Sequence, residues 1–82
     1  MDYDIKVPAT ADGALVVTIV SWLKSEGDPV AKGEDLAEAA TEKITLYITA
    51  MADGLLKEIR IAAGGRANVG DVIGVMTVSG GD

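Results

Sequence analysis

The chain has no cysteine, no histidine and no phenylalanine. Without cysteine there is no disulfide, no thiolate zinc site and no thiol nucleophile, and nothing from which to read a redox compartment. Without histidine the usual neutral-pH general base is missing. The only aromatic residues are Tyr3, Trp22 and Tyr47, so Val, Ile, Leu and Ala must fill the interior. Positive charge is also scarce: seven basic residues against thirteen acidic ones give a formal charge of −6. That balance repels a phosphate backbone, and nucleic acid is not an expected partner. Long hydrophobic runs are absent too. The most apolar stretch, residues 14–23, is broken by Thr18 and Ser21 and is too short to span a bilayer. The opening Met-Asp-Tyr-Asp lacks the basic segment and apolar run of a signal peptide. These absences lead us to expect a soluble protein of the cytoplasm, or of the mitochondrial matrix in a eukaryote, with no membrane partner.

What is present points to strands. An 82-residue chain makes one small domain, which buries only about 60% of the surface its unfolded form exposes, so a deep catalytic cleft is not expected. Turn dipeptides recur at short intervals: Asp12-Gly13, Gly27-Asp28, Gly33-Glu34, Asp53-Gly54, Gly64-Gly65 and Gly70-Asp71. The β-rich runs between them predict strands over residues 3–7, 16–24, 35–41, 44–49, 55–61 and 72–78, with short extended pieces at Val30 and Ala67. In residues 44–49, Ile44, Leu46 and Ile48 share one face opposite Thr45, Tyr47 and Thr49, the pattern of a half-buried strand. Ile59 and Ile61 oppose Glu58 and Arg60 in the same way. Residues 16–24 do not alternate cleanly, and their inner face stays open.

The second half of the chain repeats the first at an offset of 37 residues. Ile19 falls on Leu56, Trp22 on Ile59, Gly27 on Gly64, Gly33 on Gly70, Glu34 on Asp71 and Leu36 on Ile73. A true repeat means two similar β-units about a pseudo-twofold axis; chance alignment of glycine-rich β-sequence is the other reading. The hinge between two such units is residues 41–47, which hold Lys43.

Within that hinge, Glu42 and Lys43 are the only residues free to bend between a strand ending at Thr41 and one starting at Ile44. Such a tight hairpin projects Lys43 into solvent while ladders on both sides hold its backbone. A lysine so placed is open to covalent acylation, although exposed turn lysines more often serve only solubility. Trp22 reads as a core anchor. Glu38 and Glu42 read as a solvated edge around the lysine, and neither the acidic turns nor Gly64-Gly65-Arg66 has the spacing of a calcium loop or a phosphate cradle. No metal site and no catalytic residue is expected.

Along nearly its whole length the chain resembles the lipoyl domains of 2-oxo acid dehydrogenase complexes. The resemblance runs through Val7-Pro8, residues 18–30, Gly33-Glu34-Asp35-Leu36, residues 38–44, Asp53-Gly54 and residues 69–73, in order and in spacing. It implies an all-β fold, a flattened β-barrel of two four-stranded antiparallel sheets, spanning residues 1–79 with 80–82 as a tail or the start of a linker. It also implies that Lys43, flanked by Glu42 and Ile44, carries covalent lipoic acid. Glu38, Thr41, Glu42 and Ile44 then form the recognition surface around the turn. Implied partners are a lipoate-attaching enzyme, a thiamine-dependent 2-oxo acid (or acetoin) decarboxylase, an acyltransferase core and dihydrolipoamide dehydrogenase, serving a monomeric, non-catalytic carrier. The chain departs from the family pattern at Ala40, where an acidic residue is usual, at Ala11 and Val17, often Gly, and in residues 49–52, which lack the family's Pro. The loop holding Ala11 lies near the lipoyl turn in the family and helps partner enzymes choose their carrier.

Three other readings stand beside this one. A biotinyl carrier shares the fold and the eleven-residue step from lysine to glycine, here Lys43 to Gly54. Biotin carriers typically flank the lysine with methionines, whereas this chain has Glu42 and Ile44. An unmodified interaction module, like the lipoyl-like segments of membrane-fusion proteins, generally lacks the lysine turn. A small enzyme finds no convergent acid–base pair.

Overall fold

The computed structural model describes residues 1–78, and the expected tail at 80–82 lies outside them. Eight strands follow in order: β1 (Asp2–Lys6), β2 (Val16–Trp22), β3 (Pro29–Val30), β4 (Asp35–Ala40), β5 (Thr45–Thr49), β6 (Gly54–Ile59), β7 (Arg66–Asn68) and β8 (Val72–Thr77). They form two four-stranded antiparallel sheets, β1-β8-β6-β3 and β5-β4-β2-β7. The two four-stranded antiparallel sheets that the resemblance implies are the fold, in the form of a flattened sandwich, and every expected strand is present. The inner faces meet in one apolar core that includes Ile19, Leu36, Leu56, Ile73 and Met76, all fully buried.

The repeat is real, hydrogen bond by hydrogen bond. Matching β1 with β5, β8 with β4, β6 with β2 and β3 with β7 superposes the two strand orders. The Gly27 N–H donates to the Leu56 carbonyl at 2.7 Å, and its counterpart Gly64 donates to Ile19 at 2.7 Å. Leu56 N–H in turn donates to Asp28 and Ile19 N–H to Gly65. Both turn glycines sit at a φ of 91°, a conformation that favours a residue without Cβ.

The repeat also accounts for the irregular alternation of residues 16–24. The ladder shifts between Ile19 and Ser21, and at the equivalent place in β6 between Leu56 and Glu58. Such a bulge inserts one residue and resets which side chains face inward. Val17 and Ile19 point into the core, Val20 is turned out, and Trp22 faces in again. The Trp22 indole N–H donates to the Ile61 carbonyl at 2.8 Å, tying β2 to the segment just after β6 of the opposite sheet. Trp22 is thus the expected core anchor, packed at the edge of the core with its one polar group satisfied.

Candidate functional site

The β4–β5 ladder ends at the pair Ala40 and Thr45, and the hairpin closes with the Thr41 N–H donating to the Ile44 carbonyl at 2.9 Å. Two-residue hairpins ordinarily use turns with positive φ at a Gly or Asn. Glu42 and Lys43 supply neither, and no non-glycine residue described here has positive φ. A side chain completes the turn instead. The Thr41 hydroxyl accepts from the N–H groups of both Lys43 and Ile44, each at 3.1 Å, a local bond of the kind threonine offers at turns.

The same hydroxyl donates to the Asp12 carboxylate at 2.7 Å, across 29 residues of sequence. Asp12 also accepts from the Ala14 N–H at 3.2 Å. The Thr41 hydroxyl, the largest cause, holds the Asp12 carboxyl below the usual aspartate range, because it donates to the ionised form. The loop between β1 and β2 is in this way pinned to the hairpin.

The structure places Lys43 at the tip of this clamped turn with its side chain exposed. None of the ion pairs among the described residues includes it; they join Lys24 to Glu34, Lys57 to Asp2 and Arg60 to Glu58. Thr41, Glu42 and Ile44 flank Lys43, Glu42 exposed and Ile44 half-buried. Glu38 lies further back on β4, between Ser21 and Tyr47, on the outer face but away from the turn. Ala40 faces outward beside Thr18 and Thr45. Sequence reasoning marked Asp12 only as half of a turn dipeptide, and missed Arg66 at this site. No spacing links Asp12 to Thr41; only the folded sheet does. A shallow open trough runs from the turn over the outer face of β2, lined by Val16, Thr18, Val20, Ala40, Lys43 and Arg66.

A family described as Biotin_lipoyl, Biotin-requiring enzyme, matches residues 3–76. The solution structure of the lipoyl domain of the 2-oxoglutarate dehydrogenase complex from Azotobacter vinelandii superposes with a TM-score of 0.75 at 30% identity, covering 94% of this chain and 98% of that one. The chain belongs to the lipoyl-domain family. The dihydrolipoyllysine-residue succinyltransferase component of the 2-oxoglutarate dehydrogenase complex of Bacillus subtilis is 38% identical over 79 residues, 96% of this chain. That of Rickettsia felis is 40% identical over 74 residues, 90% of this chain. The chain spans only 19% and 18% of the length of those two relatives.

Proposed function

We propose that Lys43 carries a lipoyl group and that the domain presents it as a tethered acyl carrier within a 2-oxo acid dehydrogenase complex. The observation that carries this reading is the turn itself. An exposed lysine, outside the ion pairs, sits on a backbone held by the Thr41 hydroxyl and by strands on both sides. That arrangement fits the group: a modifying enzyme can approach the amine, and acylation would break no ion pair of the described residues. When bound, the group supplies a disulfide that accepts an acyl group and electrons; the protein supplies presentation and recognition. Thr41 and Asp12 fix where the arm is rooted, and Glu42, Ile44 and the pinned loop offer the surface that partners read. Tethering raises the arm's concentration at each partner's active site.

The relatives named above favour a 2-oxoglutarate-type complex. Partners would then be the lipoate-attaching enzyme, the thiamine-dependent decarboxylase, the acyltransferase core and dihydrolipoamide dehydrogenase. The domain itself would perform no catalysis. A biotinyl carrier remains the second reading because the family spans both groups; Glu42 and Ile44 beside the lysine speak against it.

Co-expression with a lipoate ligase and lipoic acid should add one lipoyl group by intact mass, mapped by peptide analysis to Lys43. The Lys43→Gln variant should take up none and melt within a few degrees of the parent, since exposed turn substitutions typically change stability by no more than about 0.5 kcal/mol. Modification at Lys57, no modification under conditions that load a reference domain, or preferential loading by a biotin ligase would each sink the reading.

A further inference from the structure

The internal repeat supplies a control for the trough beside Lys43. The strand positions that floor it have counterparts 37 residues away, on the same backbone and in the same sheet order. Val16 corresponds to Asp53, Val20 to Lys57 and Ala40 to Thr77. Val20 and Lys57 even share the bulge that turns them outward. In the copy, Lys57 pairs with Asp2 at 2.6 Å and the Asp53 carboxylate accepts from the Lys32 N–H at 2.7 Å. The backbone therefore accepts charged and polar residues at these places. Thr18, Thr41 and Arg66, whose counterparts are Leu55, Val78 and Pro29, run the other way.

Around Lys43 the same places are apolar and exposed: Val16 is 45% and Val20 46% accessible. Leaving β-branched apolar side chains in water gains nothing for the fold, so an apolar occupant is the economical explanation. Lys43 itself borders the trough. Val16 and Val20 each lie two residues from Thr18, which pairs with Ala40, so roughly 7 Å of strand separates either valine from that pair. A lysine stem extended by a medium-length acyl chain covers such a step.

The geometry points to the outer face of β2 as a resting berth for the arm on Lys43, with Val16, Val20 and Ala40 as its apolar floor. This rests on the reading of Lys43 as the carrier. Two half-exposed valines and an alanine make a shallow floor, so the berth holds the arm between visits to partner enzymes and releases it readily. Arg66 and Asp12 border it with opposite charges that favour no charged occupant. The berth keeps the disulfide partly out of water and confines the arm to one side of the turn.

The test uses the isotopically labelled domain after loading, with intact mass first confirming the lipoyl group on Lys43. Nuclear Overhauser contacts should join the arm's methylene protons to the methyls of Val16, Val20 and Ala40. The double variant Val16→Asp/Val20→Lys installs the residues that the other copy carries and so should fold normally. It should lose those contacts, and a water-soluble phosphine should reduce its arm several-fold faster. A loaded domain without the contacts, and with equal reduction rates in parent and variant, would overturn the berth while leaving the carrier reading intact. Loss of partner-dependent transfer in the variant, with no arm contacts in the parent, would make the patch a protein-docking face and equally overturn it. If mass analysis finds no group on Lys43, the carrier reading fails instead. The berth is then decided on Lys43→Cys, the only thiol in such a chain, coupled to an octyl thiosulfonate and probed for the same contacts.

Discussion

One hydroxyl does three things at the turn. Thr41 Oγ1 accepts from two backbone N–H groups and donates to Asp12, which exhausts its capacity. Valine has the same shape without the hydroxyl. Thr41→Val should therefore free the N–H groups of Lys43 and Ile44, costing about 1 kcal/mol, or roughly 4–8 °C in melting temperature for a domain of this size. Thr41→Ser should retain most of the stability. Hydrogen exchange at those two amides separates the clamp from a general loss of packing: it should quicken in the valine variant more than exchange in β8.

Asp12 adds a pH dependence to the same clamp. Its carboxyl lies below the ordinary value of 3.8, so the folded state favours the ionised form. The contribution is present above that value and is lost as the pH falls through the lower, folded-state value. Amide shifts of Lys43 and Ile44 should move in that acid window, and Asp12→Asn should remove the movement. Shifts that begin near neutrality would assign them to another group.

At the scale of strands, legibility followed regularity. β5 alternates without interruption, and its inner face was readable from Ile44, Leu46 and Ile48. β2 was not, because the bulge at Val20 changes the face of every residue after it, and no residue type marks that place. Its counterpart β6 carries the same bulge but was easier to read, since Glu58 and Arg60 declare the outer face by charge. The strand ends differ from expectation by one or two residues, where ladder pairing and not propensity decides. Gly54, the first residue of β6, must be a glycine because a Cβ there would overlap the Thr77 carbonyl oxygen of β8. Gly54→Ala must push those strands apart, and overpacking of this kind typically costs about 1–3 kcal/mol. Denaturant unfolding measures it; an unchanged midpoint would show that the edge gives way freely.

For the whole molecule, the offset of 37 residues held most of the architecture. Once the halves match, the strand orders, the paired turns and the position of Lys43 at the junction all follow. What the repeat could not show is where the halves differ. The Thr41–Asp12 clamp has no copy, because the residue equivalent to Thr41 is Val78. Contacts across 29 residues depend on the sheet being formed, so neither composition nor spacing announces them.

The repeat also fixes where the described chain starts and finishes. Val78 N–H donates to the Met1 carbonyl at 2.8 Å, the counterpart of Thr41 to Ile44 in the hairpin. β8 starts beside Lys6, near the clamped loop, passes under the Trp22 ring at Gly74 and finishes further on at Thr77. Met1 and Val78 thus meet at the pole opposite Lys43, where a mirror hairpin would be. A rope tied to either end pulls on the handle and leaves the hook clear. In any longer polypeptide of which this domain is a segment, the leash and the lysine would act at opposite extremities, and the body of the protein would lengthen the lever that carries the arm.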